Sequence, residues 1–246
     1  MWLRAPEDVK NVLWEGSLEP ETPETAERVR REFAERGIPE ASRDLFRNPP
    51  SVSIGQPEIW SLPELYSPGK LPYHLRARLE VADFYMVRLS CSFRSKGQGR
   101  IRWAEFLVRL LPHAANQYPI AYDMHPLEVY QEVRRQVRIA LNPTLNFQPL
   151  EVGVGGAQFG IEYPELRPIV TATGIGEYEA SWAYEEQKGI KLQGAKVMHL
   201  LVKAPKGMPS GEATVNLEAE INTVGILSFH IIRREEATPL KVQLWG

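Results

Sequence analysis

Four cations and an aromatic ring fall close together in this chain: Arg94, Lys96, Arg100, Arg102 and Trp103. Guanidinium and ammonium groups neutralise phosphates and an indole stacks on bases, so the grouping suits contact with a nucleic acid strand. The same charges could serve a plainer end, since cations at an exposed turn keep a strand edge from pairing with another chain. Residues 76–109 hold eight bases against three acids, and residues 1–40 hold ten acids against six bases. The acidic segment of a second copy is therefore another target for the basic tip.

Other chemistry is harder to assemble. His74, His113, His125, His199 and His230 are scattered, with no His-x-x-x-His or Cys-x-x-Cys spacing for zinc. His199 and His230 both fall in expected strands and could meet in one sheet, although two ordinary strand histidines is the expected outcome. Cys91, the single cysteine, sits in the middle of a strand pattern on the apolar side, where a thiol is a small inert hydrophobe. With no second cysteine an internal disulfide cannot form.

No Gly-x-Ser-x-Gly elbow is present. The glycines of 153–160 lack the dinucleotide fingerprint, because Gln158 stands where its third glycine belongs and a strand-like run follows instead of a helix. They read as bulges or close strand crossings. Glu185-Glu186 and Glu235-Glu236 flank turns, where charge is solvated surface. Asp83 interrupts a β pattern, and if buried it needs a partner such as Arg109 or Arg102.

No cofactor, metal or catalytic residue is therefore expected. The candidate site is Arg94, Lys96, Arg100, Arg102 and Trp103, as a binding surface.

The elements that would hold these residues are mostly strands. From Gly211 to Asn222, Ala213, Val215, Leu217, Ala219 and Ile221 alternate with Glu212, Thr214, Asn216, Glu218 and Glu220. A period of two places the first set on one face of a pleated strand and the second in water, as in an antiparallel sheet. The first strong strand is expected at Leu79–Arg94, with Val81, Tyr85, Val87, Leu89, Cys91 and Phe93 on one face. A turn at 95–99 and a returning strand at Ile101–Leu111 complete an expected hairpin.

Further strands are expected at Leu150–Val154, Gln158–Tyr163, Ile169–Thr173, Ser181–Tyr184, Lys196–Ala204, Glu212–Asn222, Ile226–Arg233 and Leu240–Trp245. Short strands at this spacing predict an antiparallel β-sandwich-like core, one large or two small. Residues 112–124 read as a loop. A short helix is expected near 126–135, with a strand following towards Phe147.

The N-terminal third is different. Thr22 as N-cap, Pro23 at the first helical position and Glu24 in the first turn predict a helix. Ala26, Val29, Phe33 and Ala34 form its apolar stripe and Gly37 its stop. Six prolines between Pro49 and Pro72 argue against a helix or a central strand there and predict an ordered extended arm over the core. Three regions result: an arm at 1–75, a first half of the core at 76–147, and an all-β second half at 148–246.

Composition narrows the function classes. At 246 residues and a formal net charge of −2, no global field drives the chain to nucleic acid or an anionic membrane. Twenty arginines against nine lysines hint at a GC-rich or warm-living, prokaryotic source. The N-terminus lacks a signal-peptide pattern and no window approaches a membrane-spanning helix, so a cytoplasmic location is expected.

The expected function is a non-enzymatic binding, adaptor or scaffold protein, with a protein partner or a second copy. Alternatives are a membrane-active β protein that rearranges strands around Gly153–Tyr163 and Ile169–Gly176, a nucleic-acid binder, and a hydrolase with remote catalytic residues. The membrane-active reading is weakened because the outward faces of those stretches show no alternating lipid-facing band.

Overall fold

The computed structural model describes residues 11–18, 22–66, 70–96, 99–115, 117–129, 137–141, 147–149, 158–161, 169–186, 191–223, 227–231 and 239–246. The chain opens with β1 (Val12–Ser17), α1 (Pro23–Glu35), α2 (Pro39–Arg47), β2 (Ser51–Gly55) and β3 (Glu58–Ser61). A 3-10 turn (Leu62–Leu65) leads to α3 (Tyr73–Val81), β4 (Ala82–Arg94), β5 (Gly99–Leu111), β6 (Ile120–His125) and β7 (Glu128–Val129). Then come β8 (Val137–Leu141), β9 (Phe147–Pro149), β10 (Gln158–Ile161), β11 (Ile169–Thr173) and β12 (Glu179–Glu185). The last strands are β13 (Gly194–Pro205), β14 (Gly211–Thr223), β15 (Leu227–Ile231) and β16 (Leu240–Trp245).

Two antiparallel sheets pack face to face. The first has the order β1-β2-β4-β13-β6, with β3 also on β4. The second runs β15-β14-β5-β12-β11-β7, with β16 also on β14. A third, three-stranded sheet has the order β10-β8-β9. Both large sheets combine strands from before and after residue 147, through the β13–β4 and β14–β5 ladders.

The core is the layer between the two sheets. β4 contributes Val87, Leu89, Cys91 and Phe93, and β13 adds Met198, Leu200 and Val202. From the other side come Phe106 and Val108 of β5, Trp182 of β12, and Ala213, Val215, Leu217, Ala219 and Ile221 of β14. The alternation of β14 is thus realised as expected, with its inward residues buried. Two aromatic contacts bridge the sheets: Phe93 meets Tyr184 edge-on at 5.5 Å, and Tyr85 stacks on Trp245 at 4.1 Å.

Several elements differ from their expected form. β4 and β5 are not a hairpin, because β4 lies in the first sheet and β5 in the second. Each strand carries one wholly apolar face, and these faces pack against each other instead of lying side by side, a choice the period of two leaves open. Residues 79–81 belong to α3, and the β4 ladder starts at Ala82 opposite Pro205. The proline-bounded segment does hold an interior strand: β2 lies between β1 and β4 and is buried at all five positions. No proline falls within 51–55, so no ladder donor is lost.

β1 and α2 arise in the stretch expected as an arm, and β6 in the one expected as a loop. Of the helix expected near 126–135, Glu128 and Val129 are instead strand, paired with Thr171 and Val170. Residues 130–136 lie outside the described residues, as does the strand expected at 150–154.

α1 follows its sequence closely. Thr22 Oγ1 accepts from the Thr25 amide at 3.1 Å, Pro23 opens the helix and Gly37 ends it with φ +74°. Val29 and Phe33 are buried with Leu45 of α2 in the main core, so the helical pair is part of the sandwich. Gly174 closes the β11–β12 turn at φ +107°, with the Glu179 carbonyl oxygen where a Cβ would sit.

Gly174→Ala therefore meets both the backbone penalty and a steric one. Chemical denaturation should show a loss of roughly 2–4 kcal/mol. Gly37→Ala, with open space around it, should lose only about 1 kcal/mol. Equal losses would mean that the carbonyl contact is absent.

Candidate functional site

The arch between β4 and β5 holds the basic residues, but it divides them. β4 turns its even-numbered residues to the outside of the first sheet, and Arg94 there donates to Glu15 Oε1 of β1 at 2.6 Å. Lys96 is exposed at the arch and bridges to Gly99. β5 sends Ile101 into the core, which leaves Arg100 on the outer face of the second sheet. Arg102 marks a bulge, since Glu220 and Ile221 of β14 oppose Trp103 and Ile101. Its carbonyl accepts from the Glu186 amide at 2.6 Å.

Trp103 is half-buried and lies between Glu185 of β12 and Glu220 of β14. The cations thus flank the arch from two sides of the sandwich, each side with carboxylates nearby.

Asp83 finds a partner the sequence reading did not name. Its carboxylate accepts from Lys206 Nζ and from the Gly207 amide, both at 2.7 Å. Arg109, one of the two partners suggested for it with Arg102, instead pairs with Glu179 in the second sheet. Partial burial pushes the Asp83 carboxyl up, but the bonds from Lys206 and Gly207 outweigh it and hold the group below its ordinary value. The contact closes the turn between β13 and β14 onto the start of β4.

Cys91 is fully buried and its thiol is pushed up to about 12 by that burial, so it is inert at neutral pH. The histidines are distributed as follows. His199 and His230 lie in different sheets, on β13 and β15, so they do not meet. Instead His199 is opposite His125 of β6 on one side and Arg88 of β4 on the other.

His199 is 1% exposed, and neither ring nitrogen has a hydrogen-bond partner among the described residues. Arg88 donates to Glu58 at 2.8 Å. On β13, Met198 and Leu200 join the main core, so His199 faces the other way, where its neighbour Leu201 packs with Leu62 and Leu75. Among the described residues, no group of three or more His, Cys, Asp or Glu side chains could hold a metal ion.

No protein-family model matches the sequence, and no curated protein matches it. Among solved structures, similarity extends to one titled "Pore forming protein", at 10% identity and a TM-score of 0.43, covering 78% of this chain and 90% of that one. The delta-toxin of Clostridium perfringens aligns at 11% identity and a TM-score of 0.41, over 81% of this chain and 80% of its own. The NetB toxin of the same organism, in its membrane-inserted form, gives 8% identity and a TM-score of 0.34, over 78% and 88%. Likeness of this degree does not say what this chain binds.

Two outcomes follow from the geometry. Asp83→Asn should lower stability by about 0.5–1 kcal/mol at pH 7, as measured by urea unfolding, because the pair is partly exposed. The folded carboxyl titrates below its unfolded value, so this contribution is present above about pH 4 and fades as pH falls further. The gap between variant and wild type should therefore close in strong acid; a constant gap would refute the charge pairing. For the arch, salt-sensitive retardation of a single-stranded oligonucleotide that disappears when Arg94, Lys96, Arg100 and Arg102 become Ala would establish a nucleic-acid surface. Equal binding by that variant would reduce the arch to a turn.

Proposed function

We propose that this chain is a non-catalytic, cytoplasmic binding protein, a subunit or adaptor within a larger protein assembly. The observation that carries the reading is the small sheet. Among the described residues it shares no ladder with either large sheet, although β9 lies beside β6. Its register sets apolar residues opposite one another: Val137 with Ile161, Ile139 with Phe159, and Leu141 with Phe147. The intervening positions pair Arg138 with Gly160, and Ala140 with Gln158 and Gln148.

A lone three-stranded sheet is marginal in water unless one of its faces is covered. A large rigid sandwich presenting such an element suits recognition of an apolar protein surface.

Low-salt affinity purification from the native host, with the mass of the complex measured by light scattering, tests this. A stoichiometric partner is expected, and it should be lost when Ile139 and Phe159 are replaced by Asp. A solitary monomer, or a partner held equally by that variant, overturns the reading.

The same register favours a second reading, in which the small sheet meets a bilayer. In that case the working strands are β8 and β10 and not β11. β11 is hydrogen-bonded to β12 and β7 within the second sheet, and leaving it would break two ladders. Release of dye from liposomes at micromolar protein would favour this reading, whereas intact vesicles would remove it.

A further inference from the structure

His199 is a titratable group with nowhere to put a proton. Directly opposed residues in antiparallel strands hold their Cβ atoms about 5 Å apart, so its ring is flanked on one side by the Arg88 cation and on the other by the His125 imidazole. The carboxylates of the neighbourhood have other work: Glu58 accepts from Arg88, and Asp123, opposite Leu201, accepts from the Met124 amide. From the layer above, Arg78 donates to the Tyr122 hydroxyl at 2.7 Å. Lys203, the remaining charged residue of the β13 outer face, stands four positions away opposite Ile120. A proton arriving on His199 would thus be buried beside one cation and one further imidazole, on a ring neither of whose nitrogens has a hydrogen-bond partner among the described residues.

The ladders around His199 are unequal. β13 holds β4 through twelve register pairs, but holds β6 through five, interrupted by a bulge between Leu201 and Val202. On its other side β6 is tied at Ala121, which exchanges backbone bonds with Gly176 and Glu177. Between that point and Pro126, whose carbonyl accepts from Trp182 Nε1 at 3.1 Å, the 123–125 stretch has β13 as its sheet partner among the described residues. Water therefore reaches His199 at least cost by parting this short ladder.

We propose that His199 is an acid-sensitive latch, whose protonation releases the Asp123–His125 end of β6 from β13 and opens that edge of the first sheet. This device is independent of what the protein binds. Burial first, and then His125 and Arg88, hold the folded imidazole down to about 3. The unfolded or opened imidazole titrates near 6.5. Since the open state binds the proton more tightly, closure is strongest above about pH 6.5. It weakens with each step down in pH until the folded value is reached, by up to tenfold in the opening constant per pH unit.

Hydrogen exchange of the full chain, followed by mass spectrometry between pH 7.5 and 4.5 and corrected for intrinsic rates, reads this directly. The amides of 120–125 should gain up to tenfold in opening constant per unit below pH 6.5, ahead of those in β5 and β14. His199→Leu should flatten that dependence, and His199→Gln serves the same purpose if the leucine variant does not fold. His125→Gln should leave a clear acid slope, because the latch is His199. A wild type whose 120–125 amides ignore pH, a slope that survives both His199 variants, or a slope abolished by His125→Gln alone would each overturn the proposal.

Discussion

Every outward feature of this chain depends on one apolar layer, formed where β4 and β13 face β5, β12 and β14. Antiparallel sheets tolerate water on one face only, so once these strands alternate the layer fixes their orientation and register. Trp182 and Phe106 fill its centre, and the contacts of Phe93 with Tyr184 and of Tyr85 with Trp245 join the two sheets towards its ends. Val29 and Phe33 of α1 and Leu45 of α2 belong to the same buried cluster as Val52 and Ile54 of β2. Closing the sandwich also determines which residues are left for the outside.

The first sheet is unusual in being covered on its outer face as well. Phe84, Met86 and Leu201 form a second cluster with Leu62 and Leu75 from the segment that includes α3. On the same outer face, burial turns His199 from a surface imidazole into a group that must stay neutral. Further along β4 the buried hydroxyls of Ser53 and Ser92 bond to each other, since buried polar groups must find partners. The small sheet lies beside the β6 edge of this same sheet.

Most of the β architecture was legible from alternation alone. β11 and β16 match their expected limits, and β14 lies within a residue of its expected ones, because a strand with one wet face writes its period plainly. The partnership of β4 and β5 was not legible, since two apolar faces can be neighbours in one sheet or opposite across a core. β2 was hidden by flanking prolines, and β6 by a bulge that breaks its alternation near Tyr122. For the candidate site, the basic residues were visible but their division between two outer faces was not. That division follows from the arch, which is a tertiary fact. Asp83 was legible as a residue needing a partner, but Lys206 lies too far along the chain for any local rule to supply it.

The most direct test of this account is a double-mutant cycle between Phe93 of β4 and Tyr184 of β12, each replaced by Leu, with stabilities from chemical denaturation. If the first sheet packs on the second through the β4–β5 arch, the two losses should couple by about 0.5–1.5 kcal/mol, the range for an edge-to-face aromatic pair. Strictly additive losses would mean that the rings do not meet, and the face-to-face arrangement on which the rest depends would fall.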